Sequence, residues 1–203
     1  MKTPDNNEAL FDVVIIGGAL AGSSAAILLK RLLPNFRVLV VERSEKHSRK
    51  VGEATVEISA YFLCHVLGLT DHLNHKHLGK QGLRFWFAND DTKTLGDCSE
   101  IGSRYLVRVP SYQLDRAVLD EEVLRRAAQA GAEILRPAMV EKVGLKAGGL
   151  QTITIKHHGT TETVHARWIV DASGFAALLA ARTAGGRPTR LTQPQPSGRA
   201  GAE

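Results

Sequence analysis

Polar Asp12 is followed by four β-branched residues at positions 13–16 and then by a glycine pair. An unbroken apolar run of this kind predicts a strand buried on both faces, as in a parallel sheet. Small residues come next in AGSSAAILLKRLL, and Ile27, Leu28, Leu29, Leu32 and Leu33 recur at helical spacing until Pro34 and Asn35 end the pattern. FRVLVVER reads as a second buried strand, which completes a β-α-β unit. The polar stretch SEKHSRKVGEATVE leads into a predicted helix from Thr55 to about Leu67, and KQGLRFWFAND reads as a strand. SYQLDRAVLDEEVLRRAAQAGA predicts a helix capped by Ser111 and stopped near Gly131. AEILRPAMVEKVGL predicts a strand pair with Gly148 and Gly149 as its turn. QTITIKHHGTTETVHARWIVDAS predicts two strands joined at His158-Gly159, then another buried strand ending at Asp171.

The turn after the first strand carries the first candidate chemistry. A dinucleotide fingerprint places glycines where the chain turns sharply, where it approaches a pyrophosphate, and where helix packs on strand. Here those positions are Gly17, Ala19 and Gly22, so a methyl stands at the middle one, with Gly18 beside it. Amides near Leu20, Ala21, Gly22 and Ser23 would still point at phosphate from the helix start. Glu42 closes the second strand about 20 residues beyond Gly22, where an acid accepts hydrogen bonds from ribose hydroxyls. A carboxylate there suits FAD or NAD and repels the 2′-phosphate of NADP. The competing reading is a packing turn with Glu42 as a solvated strand end.

Composition narrows the rest. Hydrophobic residues make up 43% and charged residues 23% of 203, the balance of an ordinary globular domain. The net charge of +5 is spread without a basic run, and part of it lies in Arg187, Arg190 and Arg199, so nucleic acid is not an expected partner. No apolar run is long enough to span a bilayer, and MKTPDNNEAL lacks the features of a signal peptide. Two cysteines, Cys64 and Cys98, without CxxC spacing, fit a reducing cytoplasm. His72, His75 and His77 match no familiar zinc spacing, so no metal is expected. No GxSxG arrangement is visible.

Several segments together carry a family resemblance: GGALAG, VVER, KVGEATV, KQGLRFWF, YQLDRAVLDEEVLRRA and WIVDASG, in that order, over residues 12 to about 182. In them the chain resembles FAD-dependent oxidoreductases of the aromatic-hydroxylase type, and within these the tryptophan-halogenase-like and geranylgeranyl-reductase-like group. The resemblance implies an α/β fold: a Rossmann-like FAD-binding domain over residues 1–182, with a parallel sheet and a β-meander. Residues 50–112 would form an insertion near the flavin and substrate. It also implies FAD as cofactor, contacted by Gly17, Gly18, Ala19, Ala21, Gly22 and Ser23 at the diphosphate and by Glu42 and Arg43 at the adenosine ribose. Glu53 would pack beside the flavin, Arg116 would lie along the phosphate chain, and the Val140 backbone would meet the adenine. Asp171 to Gly174 would return beside the nucleotide. In the halogenase branch a lysine at the position of Lys80 forms the halogenating species, which makes Lys80 the catalytic candidate.

The sequence also departs from that family. Its second Gly-Asp fingerprint, its substrate sheet and its helical C-terminal portion are not present, and the only tryptophans are Trp86 and Trp168. Residues 183–203 are rich in Gly, Pro, Arg and Thr, which predicts a disordered tail and suggests a shifted reading frame or a truncated gene. The expected function is FAD-dependent monooxygenation or halogenation of an apolar or aromatic small molecule, with a separate flavin reductase as a candidate partner. Two other readings stay open: a non-catalytic fragment keeping only the ADP half of the site, and a minimal NAD-dependent oxidoreductase.

Overall fold

In the computed structural model, which describes residues 9–102, 105 and 110–180, the run after Asp12 forms strand β1 (Leu10–Ile16). It passes through the glycine turn into helix α1 (Leu20–Leu32) and returns as β2 (Val38–Val41). Helix α2 (Glu57–Tyr61) runs into a π-helical turn (Phe62–Val66), followed by α3 (Thr70–Lys76) and β3 (Leu78–Lys80). Strands β4 (Arg84–Phe87), β5 (Ser99–Gly102) and β6 (Ser111–Gln113) precede helix α4 (Arg116–Gln129). The chain closes with β7 (Glu133–Leu135), β8 (Ala138–Gly144), β9 (Gln151–His157) and β10 (Thr160–Asp171). The tail beyond residue 182 lies outside the described residues.

The main sheet has six strands in the order β7-β2-β1-β10-β9-β8. β7, β2, β1 and β10 are mutually parallel, and β9 and β8 join antiparallel. This is the α/β arrangement the β-α-β reading predicts. Alternation along β1 and β2 sends Val13, Ile15, Val38 and Val40 to one face, where α1 and α4 cover them with Ala26, Ile27, Leu119, Val123 and Leu124. Val14, Leu39 and Val41 face the other side, against Ala138, Ile153, Ile155, Val164 and Ala166 of the meander. Burying each such Val, Leu or Ile contributes about 1.5–3 kcal/mol, so both faces are needed to hold the parallel strands.

Four elements differ from the sequence reading. AEILRPAMVEKVGL gives two strands that do not pair, since β7 and β8 stand at opposite ends of the sheet order, and the Gly148-Gly149 turn joins β8 to β9. The second hairpin strand and the last buried strand are one element: β10 pairs with β9 from Thr160 to Ala166 and with β1 from Leu10↔His165 onward. KQGLRFWF is two strands, because β3 pairs with β6 while β4 pairs with β5. Ser111 is not a helix cap. It lies buried in β6, its hydroxyl donating to the Lys80 carbonyl at 3.0 Å. The cap of α4 is Asp115, whose carboxylate accepts the amides of Ala117 and Val118 at 2.9 and 3.4 Å.

The same Asp115 is tied to a histidine pair. Its amide donates to His77 Nδ1 at 3.1 Å, and His77 Nε2 sits 3.2 Å from His72 Nε2. An amide can only donate, so His77 Nδ1 carries no proton and Nε2 does; that proton is given to His72 Nε2, whose own proton is on Nδ1. The geometry therefore requires both rings neutral. Burial lowers both pKa values from about 6.5. Glu122 opposes this at His72 while His77, Arg126 and Lys76 add to it, and Asp115 opposes it at His77. Below about pH 6.5 the unfolded chain then binds more protons than the folded one, so stability falls as pH falls. The urea midpoint is expected to drop between about pH 7.5 and 5.5. The His72→Gln/His77→Asn double variant, which keeps an acceptor for the Asp115 amide, is expected to flatten that profile; parallel profiles would contradict the neutral-pair assignment.

Candidate functional site

The parallel strands β2, β1 and β10 all end at the same edge of the sheet, and the candidate site forms there. Gly17 donates its amide to the Val41 carbonyl at 2.8 Å and adopts φ +103°, a conformation that favours glycine. A Cβ at Gly17 would stand 2.4 Å from the Ala172 carbonyl oxygen, because the chain leaving β10 crosses directly over the turn. A Cβ at Gly18 would stand 2.9 Å from Cβ of Glu42, and one at Gly22 only 1.9 Å from the Gly17 carbonyl oxygen. Ala19, by contrast, has φ −74° and ψ −169°, ordinary extended backbone for the residue preceding a helix. Its methyl is compatible with the turn, so the alanine in the middle fingerprint position does not close the loop. Gly18, which stands beside the fingerprint positions, is crowded as well, by the Glu42 stem and by Leu124.

Glu42 is 6% exposed and spans the site. One carboxylate oxygen accepts the Gly18 amide at 2.7 Å and the other the Ser44 amide at 2.8 Å. Burial raises its pKa, but the Ser44 and Gly18 amides and the nearby His47 outweigh that, so the carboxyl titrates below its usual range. The group is therefore an anion at neutral pH, with oxygens able to accept further donors. The α1 N-terminus has no side-chain cap and no acidic residue in its first turn. By helix geometry its first amides lack intrahelical acceptors, which is the chemistry that suits an anion. Ala21 is exposed, whereas Ser23 is buried and its hydroxyl donates to the Gly18 carbonyl at 2.6 Å, bracing the loop from inside.

The remaining predicted residues fall into three places. Asp171 and Gly174 lie at the β10 end. The Asp171 carboxylate accepts Ser173 and Leu179 amides at 3.1 and 2.8 Å, and these bonds together with the Ser173 hydroxyl hold its pKa down against burial. Val140 lies on β8, whose first amide, that of Ala138, donates to the Glu42 carbonyl at 2.7 Å; Val140 is two residues, about 7 Å, further along the strand from Ala138. Arg43 is exposed beside Glu42.

Arg116 opens α4, and its guanidinium is 14% exposed and paired with Asp120. Glu53 is half-buried in the loop over that helix start, its carbonyl accepting the Leu114 amide at 2.6 Å. Lys80 lies apart, on the small β3–β6 sheet, half-buried at the end of β3 rather than its start. Its neighbour Gly79 lines a hollow of about 230 Å³ with Ala60, Tyr61, Cys64, Asn74 and Tyr112. Neighbouring strand residues face opposite sides, so Lys80 projects from the other face of that sheet. The structure thus gathers Gly17, Gly18, Gly22, Glu42 and the Asp171 turn, and keeps Lys80 on a second element. The sequence reading missed Asp120 and Leu124; the signal available was their place on the apolar stripe of α4, with Asp120 four residues after Arg116.

Comparison with known proteins agrees with this geometry. Residues 11–190 match the family model described as FAD binding domain. The flavin-dependent halogenase chlA of Dictyostelium discoideum is 30% identical over 198 residues, covering 85% of this chain and 33% of that protein. The solved myxobacterial chondrochloren halogenase CndH, a variant of FAD-dependent halogenases, aligns with a TM-score of 0.71 at 27% identity, over 83% of this chain and 38% of that one. Halogenase PltM, solved with phloroglucinol and FAD, shares the fold with a TM-score of 0.69 at 20% identity, over 85% and 36%. The chain spans little more than a third of the length of these proteins.

Gly22→Ala is expected to destabilise the fold by more than about 2 kcal/mol, because its new methyl meets backbone that cannot give way. Ala19→Gly should change stability by less than about 1 kcal/mol, since glycine is well accepted before a helix. Urea unfolding of both variants checks the pair. Equal effects would contradict the assignment of the close approach to Gly22 and Gly17.

Proposed function

The chain belongs to the family of FAD-binding domains, and from that premise we propose that its glycine turn and Glu42 hold the adenosine diphosphate half of FAD for the oxidation of a small apolar or aromatic molecule. The observation that carries this is a cradle closed to every side chain: glycines at 17, 18 and 22, uncapped helix amides ahead of them, and a buried carboxylate at the strand end. Those groups fit an ADP moiety, with donors for the phosphates and an acceptor for ribose hydroxyls. FAD supplies the redox chemistry in this family, and the chain's part is to bind, orient and shield. Residues 50–112 would form the flavin and substrate side, and Arg116, Glu53, Val140 and the Asp171 turn would line the path of the cofactor.

Halogenation or monooxygenation is the specific chemistry we favour, supported by the resemblance to chlA and CndH. In that reading Lys80 presents its amine to the substrate, and a separate flavin reductase supplies reduced cofactor. The relatives that motivate this reading are longer than the region matched here. Among the described residues no helix is long and apolar enough to cross a membrane. A second reading, nucleotide binding without turnover, is favoured by one observation: β4 and β5 are exposed at every position, including Phe85, Trp86, Phe87 and Ile101, so the face expected to meet a substrate is open.

Titration of the purified chain with FAD, followed by flavin absorbance after gel filtration, separates the two. Co-elution of flavin near one per chain supports the first reading. A colourless protein that binds ADP supports the second. Lys80→Ala is expected to retain FAD and lose any halide incorporation into an aromatic acceptor; equal turnover would remove Lys80 from the chemistry.

A further inference from the structure

Asp120 has no solvent exposure, although it sits only four residues into α4 from Arg116. A carboxylate removed from water is destabilising unless it is paired and hydrogen-bonded. Asp120 has two cationic partners from two chain segments. Lys50 Nζ approaches one oxygen at 2.8 Å, and Arg116 Nε and Nη2 approach the other at 3.2 Å each. One cation would neutralise the acid. The second leaves a surplus positive charge, carried by a Lys50 side chain 37% exposed and an Arg116 side chain 14% exposed.

The direction in which this charge points depends on Asp120. Long side chains on a helix lean toward its N-terminus, which would send Arg116 away from the glycine turn. Pairing one turn onward bends the guanidinium back along α4. Leu124, eight residues after Arg116, borders the space of Gly18, so the α4 start projects about 12 Å beyond the turn. The C-terminal ends of the two helices meet where Lys30 touches Gly131, so α4 runs alongside α1 and overshoots its N-terminus. Gly52, at φ +101°, lets the loop pass over the guanidinium: a Cβ there would stand 2.8 Å from Arg116 Nη1. That nitrogen makes only a long 3.3 Å contact with the Val51 carbonyl.

We propose that Asp120 is a positioning residue for the diphosphate: it turns Arg116 back toward the glycine turn and fixes it with Lys50 as a cationic pair ahead of α1. This rests on the cofactor reading above. Its sign is diagnostic. Removing a nearby negative charge should by Coulomb's law strengthen the binding of an anion, whereas losing a positioner should weaken it.

The test titrates the full chain with ADP and with adenosine by calorimetry. Asp120→Asn is expected to weaken ADP about tenfold, as for one lost charge-assisted contact, and to leave adenosine unchanged. Asp120→Glu is expected to recover most of that affinity, and Asp120→Asn to add nothing in an Arg116→Ala background. ADP bound as tightly or more tightly by Asp120→Asn overturns the proposal and leaves the cofactor reading intact. An equal loss for adenosine also overturns it, since that marks a general defect. A wild-type chain that binds neither ADP nor FAD overturns both. Should Asp120→Asn show no cooperative urea transition, Arg116→Ala decides: a tenfold fall in the ADP-to-adenosine ratio supports the proposal, and an unchanged ratio overturns it.

Discussion

The bond from the Gly18 amide to the Glu42 carboxylate, 2.7 Å long and buried, joins the first turn of the fold to the end of its second strand. Everything at the edge of the sheet is arranged around it. Gly18 must be glycine because the Glu42 stem fills the space of a side chain, and Gly17 must be glycine because the Ala172 carbonyl crosses above it. Ser23 braces the same loop from below through the Gly18 carbonyl. β8 starts from the Glu42 carbonyl, which brings Val140 into the same neighbourhood. Glu42 is thus a structural acceptor for the turn through its carboxylate and for β8 through its carbonyl.

Charge is distributed in the same economical way around α4. Its N-terminus is capped by Asp115, which also receives Arg49 at 3.1 Å, while Asp120 gathers Lys50 and Arg116. Further along, Glu121 pairs with Arg136 through two 2.7 Å bonds and also accepts the His47 amide at 2.7 Å. The Arg136 guanidinium holds the Glu121 carboxyl down to about 2. These contacts knit the loop after β2 to α4 and to the segment before β8. The polar loop after Glu42 is thus held by α4 rather than by strand pairing.

Much of this was legible in the sequence because the signals are local. The β-α-β unit follows from β-branched runs and helical spacing, and Glu42 follows from its distance to Gly22. The stop of α4 near Gly131 and the His158-Gly159 turn follow from turn chemistry. What was not legible depends on distant partners. β10 serves both β9 and β1, which no periodicity can separate from two strands. Ser111 has the chemistry of a cap, but pairing with Lys80 claims it for β6, and Asp115 takes the role. Asp120 reads as a surface acid until Lys50, seventy residues earlier, is seen beside it. Gly18 looks like slack until Glu42 and Leu124 are found against it.

The most direct test of the central claim uses two ligands and no mutation, since any change at Glu42 would also disturb the Gly18 bond. AMP and adenosine 2′,5′-bisphosphate differ only by a phosphate on the ribose hydroxyl that the carboxylate is assigned to receive. Calorimetric titration of the chain should show AMP binding at least about tenfold more tightly, because a second anion would be pressed against Glu42. Equal affinity, or a preference for the bisphosphate, would mean that the sugar does not meet this carboxylate, and the assignment of the site would fail.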